Sequence, residues 1–306
     1  MKKIYFSTLL SFSILSANYL ELPTFTNYQD LKVLKSDLVD ESLSIFKKYK
    51  KRDFYNLSFY TGILKYKNSL KDNGKFAGAY YSYYKYPFKM ETNINFTFLN
   101  YKDDSKLKQK DFSLLEHYYF KTIHLKAGIH LIKSDDSLTD WGKVGILGIS
   151  FYKYNNYSIG LDNYYSYYSN NSNSPKLIQF KGYVNKHFNF FNFGLGYNYI
   201  HFFNNYTENN LKQNYHYINS FLNFSLNKEI STTISAWKGD RVLAVNNNGF
   251  VVNNLLNVEK YGGFIKQNFI INNNSSLSLE YSFKRFIDNN KNANQNMFML
   301  GYNLFW

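Results

Sequence analysis

The residues able to do acid–base or metal chemistry gather in one short polar stretch. His130 is followed closely by Asp135, Asp136 and Asp140. A histidine next to a carboxylate is the base and orienting partner of many hydrolases, so His130 with Asp135 or Asp136 is a candidate pair. No serine in a recognisable nucleophile context stands beside them. The sequence therefore raises an enzyme hypothesis but assigns no catalytic residue.

The same three aspartates offer the oxygen ligands that Ca²⁺ prefers. The stretch lacks the regular Asp and Gly spacing of known calcium loops, so a solvated polar loop is the preferred interpretation. The sequence predicts neither a metal site nor a cofactor.

The elements that must position these residues are strands of alternating polarity. Within 122–133, Leu125 and Ile129 fall on one face, and His124, Lys126 and His130 fall on the other. Successive side chains of a strand point to opposite sides, so such a strand has one apolar and one polar face. The pattern predicts fourteen strands, at 54–65, 76–86, 90–101, 111–120, 122–133, 142–152, 157–168, 176–187, 191–203, 215–227, 230–242, 258–271, 275–287 and 296–306.

The connections distinguish a membrane barrel from a soluble sandwich, which alternation alone would also fit. Short connections are expected at 87–89, 121, 153–156, 188–190, 228–229 and 272–274. They alternate along the chain with longer connections rich in Asn, Ser, Asp and Lys, at 66–75, 102–110, 134–141, 169–175, 204–214, 243–257 and 288–295. In an up-and-down barrel every second connection lies on the same rim, and outer-membrane barrels have short periplasmic turns, longer outside loops and an even strand number. The sequence therefore predicts an all-β, transmembrane, antiparallel up-and-down β-barrel of about fourteen strands over 54–306.

Composition supports a membrane barrel. The chain is 21% aromatic, with 31 Tyr and 29 Phe, and Tyr favours the membrane–water boundary. Trp141 and Trp237 are expected in that interfacial belt. The absence of Cys excludes a lipoprotein anchor and disulfides. The net charge of +14 could indicate a nucleic-acid partner, but the export signal described next argues against one.

The first 53 residues are expected to be separate from the barrel. Lys2 and Lys3 precede an apolar stretch, and small residues end at Ala17, which predicts a signal peptide over 1–17. Residues 18–53 form a second segment, in which Leu31, Leu34 and other apolar residues have helical spacing across 22–50. Three interpretations stay open for this segment: a periplasmic lead-in helix, a plug in the barrel mouth, or a disordered stretch.

The end of the chain carries the most specific pattern. Phe298, Leu300, Tyr302, Leu304 and Trp306 alternate up to the last residue. With the signal peptide and the strands, this segment resembles the end of a bacterial single-chain outer-membrane β-barrel of the porin-like class. Most such strands end in Phe, so Trp is a departure. The resemblance implies the outer membrane of a Gram-negative bacterium, and partners that include lipid, lipopolysaccharide, the barrel-assembly machinery and small solutes; it transfers no functional residue.

The function predicted is passive diffusion of small solutes through an outer-membrane channel. An excess of inward-facing cations would favour anions, whereas cations and carboxylates that pair across the barrel would only stabilise its wall; both interpretations stay open. The alternatives are a hydrophobic-solute transporter plugged by the N-terminal segment, a hydrolase at the barrel rim, and a surface adhesin built from Asn-rich loops. The candidate pore-lining residues are Glu91, His124, Lys126, His130, Asp162, Lys181, Arg241, Lys260, Lys266, Glu280 and Lys284.

Overall fold

The computed structural model describes residues 53–306, apart from 137–138, 154–155, 169–173, 189–190, 204–210, 228, 254 and 289. The signal peptide and the N-terminal segment predicted over 18–53 thus lie outside the described residues, apart from Asp53. Within the described ranges, no helix is long and apolar enough to cross a membrane.

The described chain is almost entirely β-structure. Fourteen long antiparallel strands close into one barrel, and two short strands pair with each other in a separate hairpin. The barrel strands are β1 (Phe54–Lys67), β2 (Lys71–Lys85), β3 (Phe88–Tyr101), β4 (Lys106–Tyr119), β5 (Ile123–Ser134), β6 (Lys143–Lys153), β7 (Tyr157–Tyr167), β8 (Lys176–His187), β9 (Phe191–Phe202), β10 (Asn214–Ser225), β11 (Ile230–Arg241), β14 (Val258–Asn272), β15 (Ser275–Asp288) and β16 (Lys291–Phe305); the hairpin strands are β12 (Val245–Asn246) and β13 (Val251–Val252). The predicted fold class and strand number are confirmed.

The barrel closes where its first and last strands meet. β1 pairs with β16 over twelve residues on each strand, from Asn56 opposite Phe305 to Lys67 opposite Asn294. The Trp306 amide donates to the Tyr55 carbonyl, and the Tyr55 amide donates to the Trp306 carbonyl. Closure leaves none of the fourteen barrel strands described above with an unpaired edge. A bilayer requires this because lipid cannot satisfy backbone polar groups.

The two faces of the wall differ as the alternation predicts. On β5, Leu125 and Ile129 are exposed on the outside of the barrel, whereas His124, Lys126 and His130 are buried inside it. Every other barrel strand except β2 also exposes at least one large apolar side chain on the outer surface. An outer surface this apolar fits lipid rather than water.

The connections follow the predicted alternation only in part. We call the rim that carries 135–142, 168–175, 203–213 and 242–257 the long-loop rim, and the opposite end the short-turn rim. Three other connections on the long-loop rim, 68–70, 102–105 and 289–290, are as short as turns. The longer loops predicted at 66–75, 102–110 and 288–295 are wrong, because ladder pairing continues through polar residues such as those at 71–75.

Candidate functional site: the barrel lumen

The longest described connection folds into the barrel. Residues 242–257 join β11 to β14 and carry the hairpin of β12 and β13; we call 242–257 the lumen loop. Val242, Leu243, Ala244 and Val245 are at most 1% exposed. The sequence-based interpretation of this connection as an outside polar loop is wrong, because its apolar run is buried by packing against inward-facing residues of the wall.

The wall holds the lumen loop by hydrogen bonds to its backbone. Gln179 on β8 is fully buried; its Nε2 donates to the Val245 carbonyl and its Oε1 accepts from the Val245 amide, each over 2.9 Å. This side chain therefore imitates the two-way pairing of a neighbouring strand. On the other side of the tip, His130 Nδ1 lies 2.7 Å from the Gly249 carbonyl oxygen.

The tip of the hairpin requires unusual backbone angles. Asn247, Asn248 and Gly249 all have positive φ values, of 54°, 55° and 106°. Gly249 also approaches the wall closely, since a Cβ there would lie 2.1 Å from Cδ1 of Ile146. Glycine satisfies both demands, because it has no Cβ and adopts left-handed angles at little cost.

The charged residues of the lumen form paired groups. Asp162 lies between two lysines, 2.9 Å from Lys126 Nζ and 3.8 Å from Lys181 Nζ. Nearer the long-loop rim, Glu259 accepts from Arg241 Nε over 2.6 Å and from Lys284 Nζ over 2.5 Å. Each carboxylate thus serves two cations, which leaves one positive charge in excess in each group.

A second set of ionisable residues lies nearer the short-turn rim. Glu91 accepts a hydrogen bond from Tyr80 and lies 2.6 Å from His117 Nε2. His117 Nδ1 is 2.9 Å from His124 Nε2, and His124 Nδ1 is 3.2 Å from Ser150 Oγ. This chain of contacts resembles a relay behind a nucleophile. The four residues of this contact chain, Glu91, His117, His124 and Ser150, are at most 3% exposed. This burial leaves no room for a substrate beside the serine hydroxyl.

His130 has a partner other than those considered from the sequence. Its Nε2 lies 3.3 Å from Asp111 Oδ1 on the neighbouring strand. Neither Asp135 nor Asp136 is its hydrogen-bond partner among the described contacts; Asp136 instead accepts from Thr139. In the described part of the chain, no three His, Asp or Glu residues group as metal ligands would.

Asp140 organises the loop between β5 and β6. Its Oδ1 accepts from the amides of Ser134 and Trp141, each over 2.9 Å, and its Oδ2 accepts from Lys133 Nζ over 2.7 Å. Burial raises the pKa of this carboxyl, but the Lys133 ammonium and the two amides outweigh burial, so the pKa lies below its ordinary value. The carboxylate is a structural cap of the loop.

A cavity of about 410 Å³ is lined by the lumen loop and by residues of β1–β4, β7–β11 and β14–β16. Four of the candidate pore-lining residues line it: Lys181, Arg241, Glu280 and Lys284. Six are buried in the lumen wall away from the cavity: Glu91, His124, Lys126, His130, Asp162 and Lys266. Lys260 lies at a bulge of β14, pairs with Asp240 over 2.9 Å and does not line the cavity.

Trp237 and several charged residues line the cavity although the sequence analysis did not predict it. Trp237 lines the cavity rather than the lipid belt, and its ring stacks 3.5 Å from the Arg241 guanidinium carbon. Glu259, Asp111 and Lys71 also line the cavity.

The run from Val242 to Val245 was the sequence signal for the lumen loop, since an exposed loop seldom carries four consecutive apolar residues.

Comparisons with known proteins support the fold. No family model and no curated protein matches the chain. Among solved structures it is similar to the CymD monoaromatic hydrocarbon channel, with a TM-score of 0.58, 6% identity, and coverage of 84% of this chain and 90% of that one. It is also similar to the Ralstonia pickettii toluene transporter TbuX (0.56, 7%, 82% and 89%) and to a bacterial polysaccharide outer membrane secretin (0.52, 8%, 82% and 97%). These likenesses confirm the porin-like barrel architecture.

Proposed function

We propose that this chain is an outer-membrane channel through which small solutes diffuse. The observation that carries the proposal is a closed barrel, apolar outside, whose lumen contains a cavity lined by polar and charged side chains. A hydrocarbon-facing wall around a polar interior is the arrangement of membrane channels. The long-loop rim would face outward and the short-turn rim the periplasm, with export by the signal peptide at 1–17.

The lumen loop would set the width of this channel. It is anchored to both β5 and β8 and so crosses the lumen rather than lying along one strand. Solutes would pass between its exposed edge, which includes Val251, and the facing wall of β1–β4.

The paired charges support a weak preference for anions. Most of the positive charge in the lumen is compensated by neighbouring carboxylates, but Asp162 and Glu259 each serve two cations. The excess of one charge in each group would lower the barrier for a small anion and raise it for a cation.

Recording from planar bilayers in a KCl gradient tests both statements. We expect unitary current steps and a reversal potential that is shifted from zero toward the equilibrium potential of chloride. Lys284→Gln should move the reversal potential toward zero, while the matched change Lys260→Gln, at a lysine that does not line the cavity, should leave it unchanged. Folded protein that inserts repeatedly without any current step would contradict the channel.

A second candidate function is the passage of apolar solutes. Leu64, Leu99 and Leu107 form an apolar cluster inside the barrel, with Tyr66, Phe76 and Met297 packed against it. Such a cluster in a lumen wall would suit a hydrophobic solute better than water. Uptake of a radiolabelled aromatic hydrocarbon by cells with and without the protein distinguishes this candidate from an ion-conducting pore.

A further inference from the structure

The cavity brings the leucine cluster and the Glu259 charge group onto one wall. Lys284 on β15 lies opposite Gln295 on β16, which lies opposite Tyr66 on β1. Two residues along these strands toward the short-turn rim, Met297 lies opposite Leu64. Neighbouring strands are about 4.8 Å apart and two residues along a strand span about 6.6 Å, so the backbones at Lys284 and Leu64 are about 12 Å apart.

The apolar cluster is continuous because one position in its row has no side chain. Gly74 on β2 lies between Leu64 on β1 and Leu99 on β3. A Cβ at Gly74 would lie 2.5 Å from Leu99 Cδ2 and 3.2 Å from Leu64 Cδ1. The two leucine side chains therefore occupy the space above the glycine. Leu107 on β4 extends the same row, and Leu255 of the lumen loop packs against it.

The charge next to this cluster is a single positive excess. Lys71, Arg241 and Lys284 face two carboxylates, Glu259 and Asp288, with Lys71 Nζ 3.6 Å from Asp288. Arg241 is fixed by Glu259 and by stacking on Trp237. The Lys284 side chain is 26% exposed, against 10% for Arg241 and 4% for Lys71. Lys284 is thus the cation of this group with the most surface available to a solute.

We propose that this cavity is a binding site for small monocarboxylates with an apolar body, which deepens the proposed function and rests on it. The Lys284 ammonium would bind the carboxylate, and the cluster of Leu64, Leu99 and Leu107 would contact the hydrocarbon part. A single net positive charge matches a monoanion, and about 410 Å³ falls within the usual size of small-molecule sites. Acetate would reach only the lysine, and an uncharged alcohol only the leucines.

The test is equilibrium titration of the purified full-length protein in detergent, by calorimetry, with acetate, butyrate and hexanoate. If the apolar body is buried against the leucines, each added CH₂ should tighten binding by about fourfold. Lys284→Gln should weaken hexanoate binding by about tenfold and leave hexanol binding unchanged. Lys260→Gln is the matched control and should bind hexanoate as the wild type does.

Two results would overturn the site: equal affinity for acetate and hexanoate, or unchanged hexanoate binding in Lys284→Gln. The chain-length series uses the wild-type protein alone, so it decides the matter even if a variant folds poorly. Failure of the site and failure of the channel are separable. Ion current without hexanoate binding rejects the site alone, and hexanoate binding without current rejects the channel while the site stands.

Discussion

The lumen loop should loosen when its two-way hydrogen bond to the wall is removed. Gln179→Leu keeps the approximate volume of the side chain but removes both its donor and its acceptor. The Val245 amide and carbonyl, each bonded over 2.9 Å in the native protein, then lose their partners. Val245 is 1% exposed, so water can replace these bonds only when the loop moves away from β8.

The size of the effect follows from the number of bonds lost. A net contribution of about 1 kcal/mol for each hydrogen bond gives about 2 kcal/mol in favour of the undocked loop. That corresponds to a shift of roughly 30-fold in the ratio of docked to undocked loop. The contacts of the apolar run Val242–Val245 and the His130 contact to Gly249 remain, so we expect the loop to stay docked most of the time.

Hydrogen exchange read by mass spectrometry measures this ratio directly. Peptides covering 242–257 should exchange roughly 30-fold faster in Gln179→Leu, while peptides from the barrel strands keep their protection. Gln295→Leu is the matched control, because Gln295 lines the cavity beside the lumen loop and has no hydrogen bond to the lumen loop among the described contacts. Exchange in 242–257 within twofold of the wild type would refute the idea that Gln179 anchors the loop.

Three further predictions concern the wall, the closing strand and the loop between β5 and β6. Leu147 lies at the middle of β6 and is 65% exposed, so Leu147→Arg should lower the free energy of unfolding in lipid vesicles by about 2–4 kcal/mol. Leu226→Arg at the short-turn rim should lower it by less than about 1 kcal/mol. Equal effects would contradict a lipid-facing surface. Trp306→Ala removes a ring stacked 5.9 Å from Tyr55 and should lower the fraction of heat-modifiable, folded barrel in membranes. The folded pKa of Asp140 is depressed, so its contribution to the stability of the loop is fully present above its unfolded pKa and is lost as the pH falls through the folded pKa. Protease resistance of 135–142 should therefore fall upon acidification below about pH 4. Asp140→Asn should lack this pH dependence.

The strand pattern was readable because a barrel wall imposes a period of two on every strand. Leu125 and His124 fall on opposite sides of the wall whatever their neighbours do, so local alternation was enough to place them. Strand ends were less readable. The polar stretch at 71–75 looks like a loop, but it continues β2 because β3 provides backbone partners from Lys71 and β1 provides them from Asn73.

Partners within the lumen could not be read in the same way. Alternation predicted that His130 points inward. It did not predict that His130 would contact Asp111 on the neighbouring strand β4 and Gly249 of the lumen loop. Sequence neighbours suggested Asp135 and Asp136 instead. Strand register sets the first contact, and the fold of a distant connection sets the second; neither leaves a trace near His130 in the sequence.

The sequence by itself determined the closed antiparallel barrel, its apolar outer face and the polar type of its interior, because each of these follows from side-chain alternation and from the need to pair every strand edge in lipid. Only the tertiary structure decided that 242–257 enters the lumen, that Glu259 serves both Arg241 and Lys284, and that Gly74 lets Leu64 and Leu99 meet. These are contacts between residues distant in sequence or on different strands, and their geometry depends on register, barrel closure and the path of one loop, none of which alternation fixes.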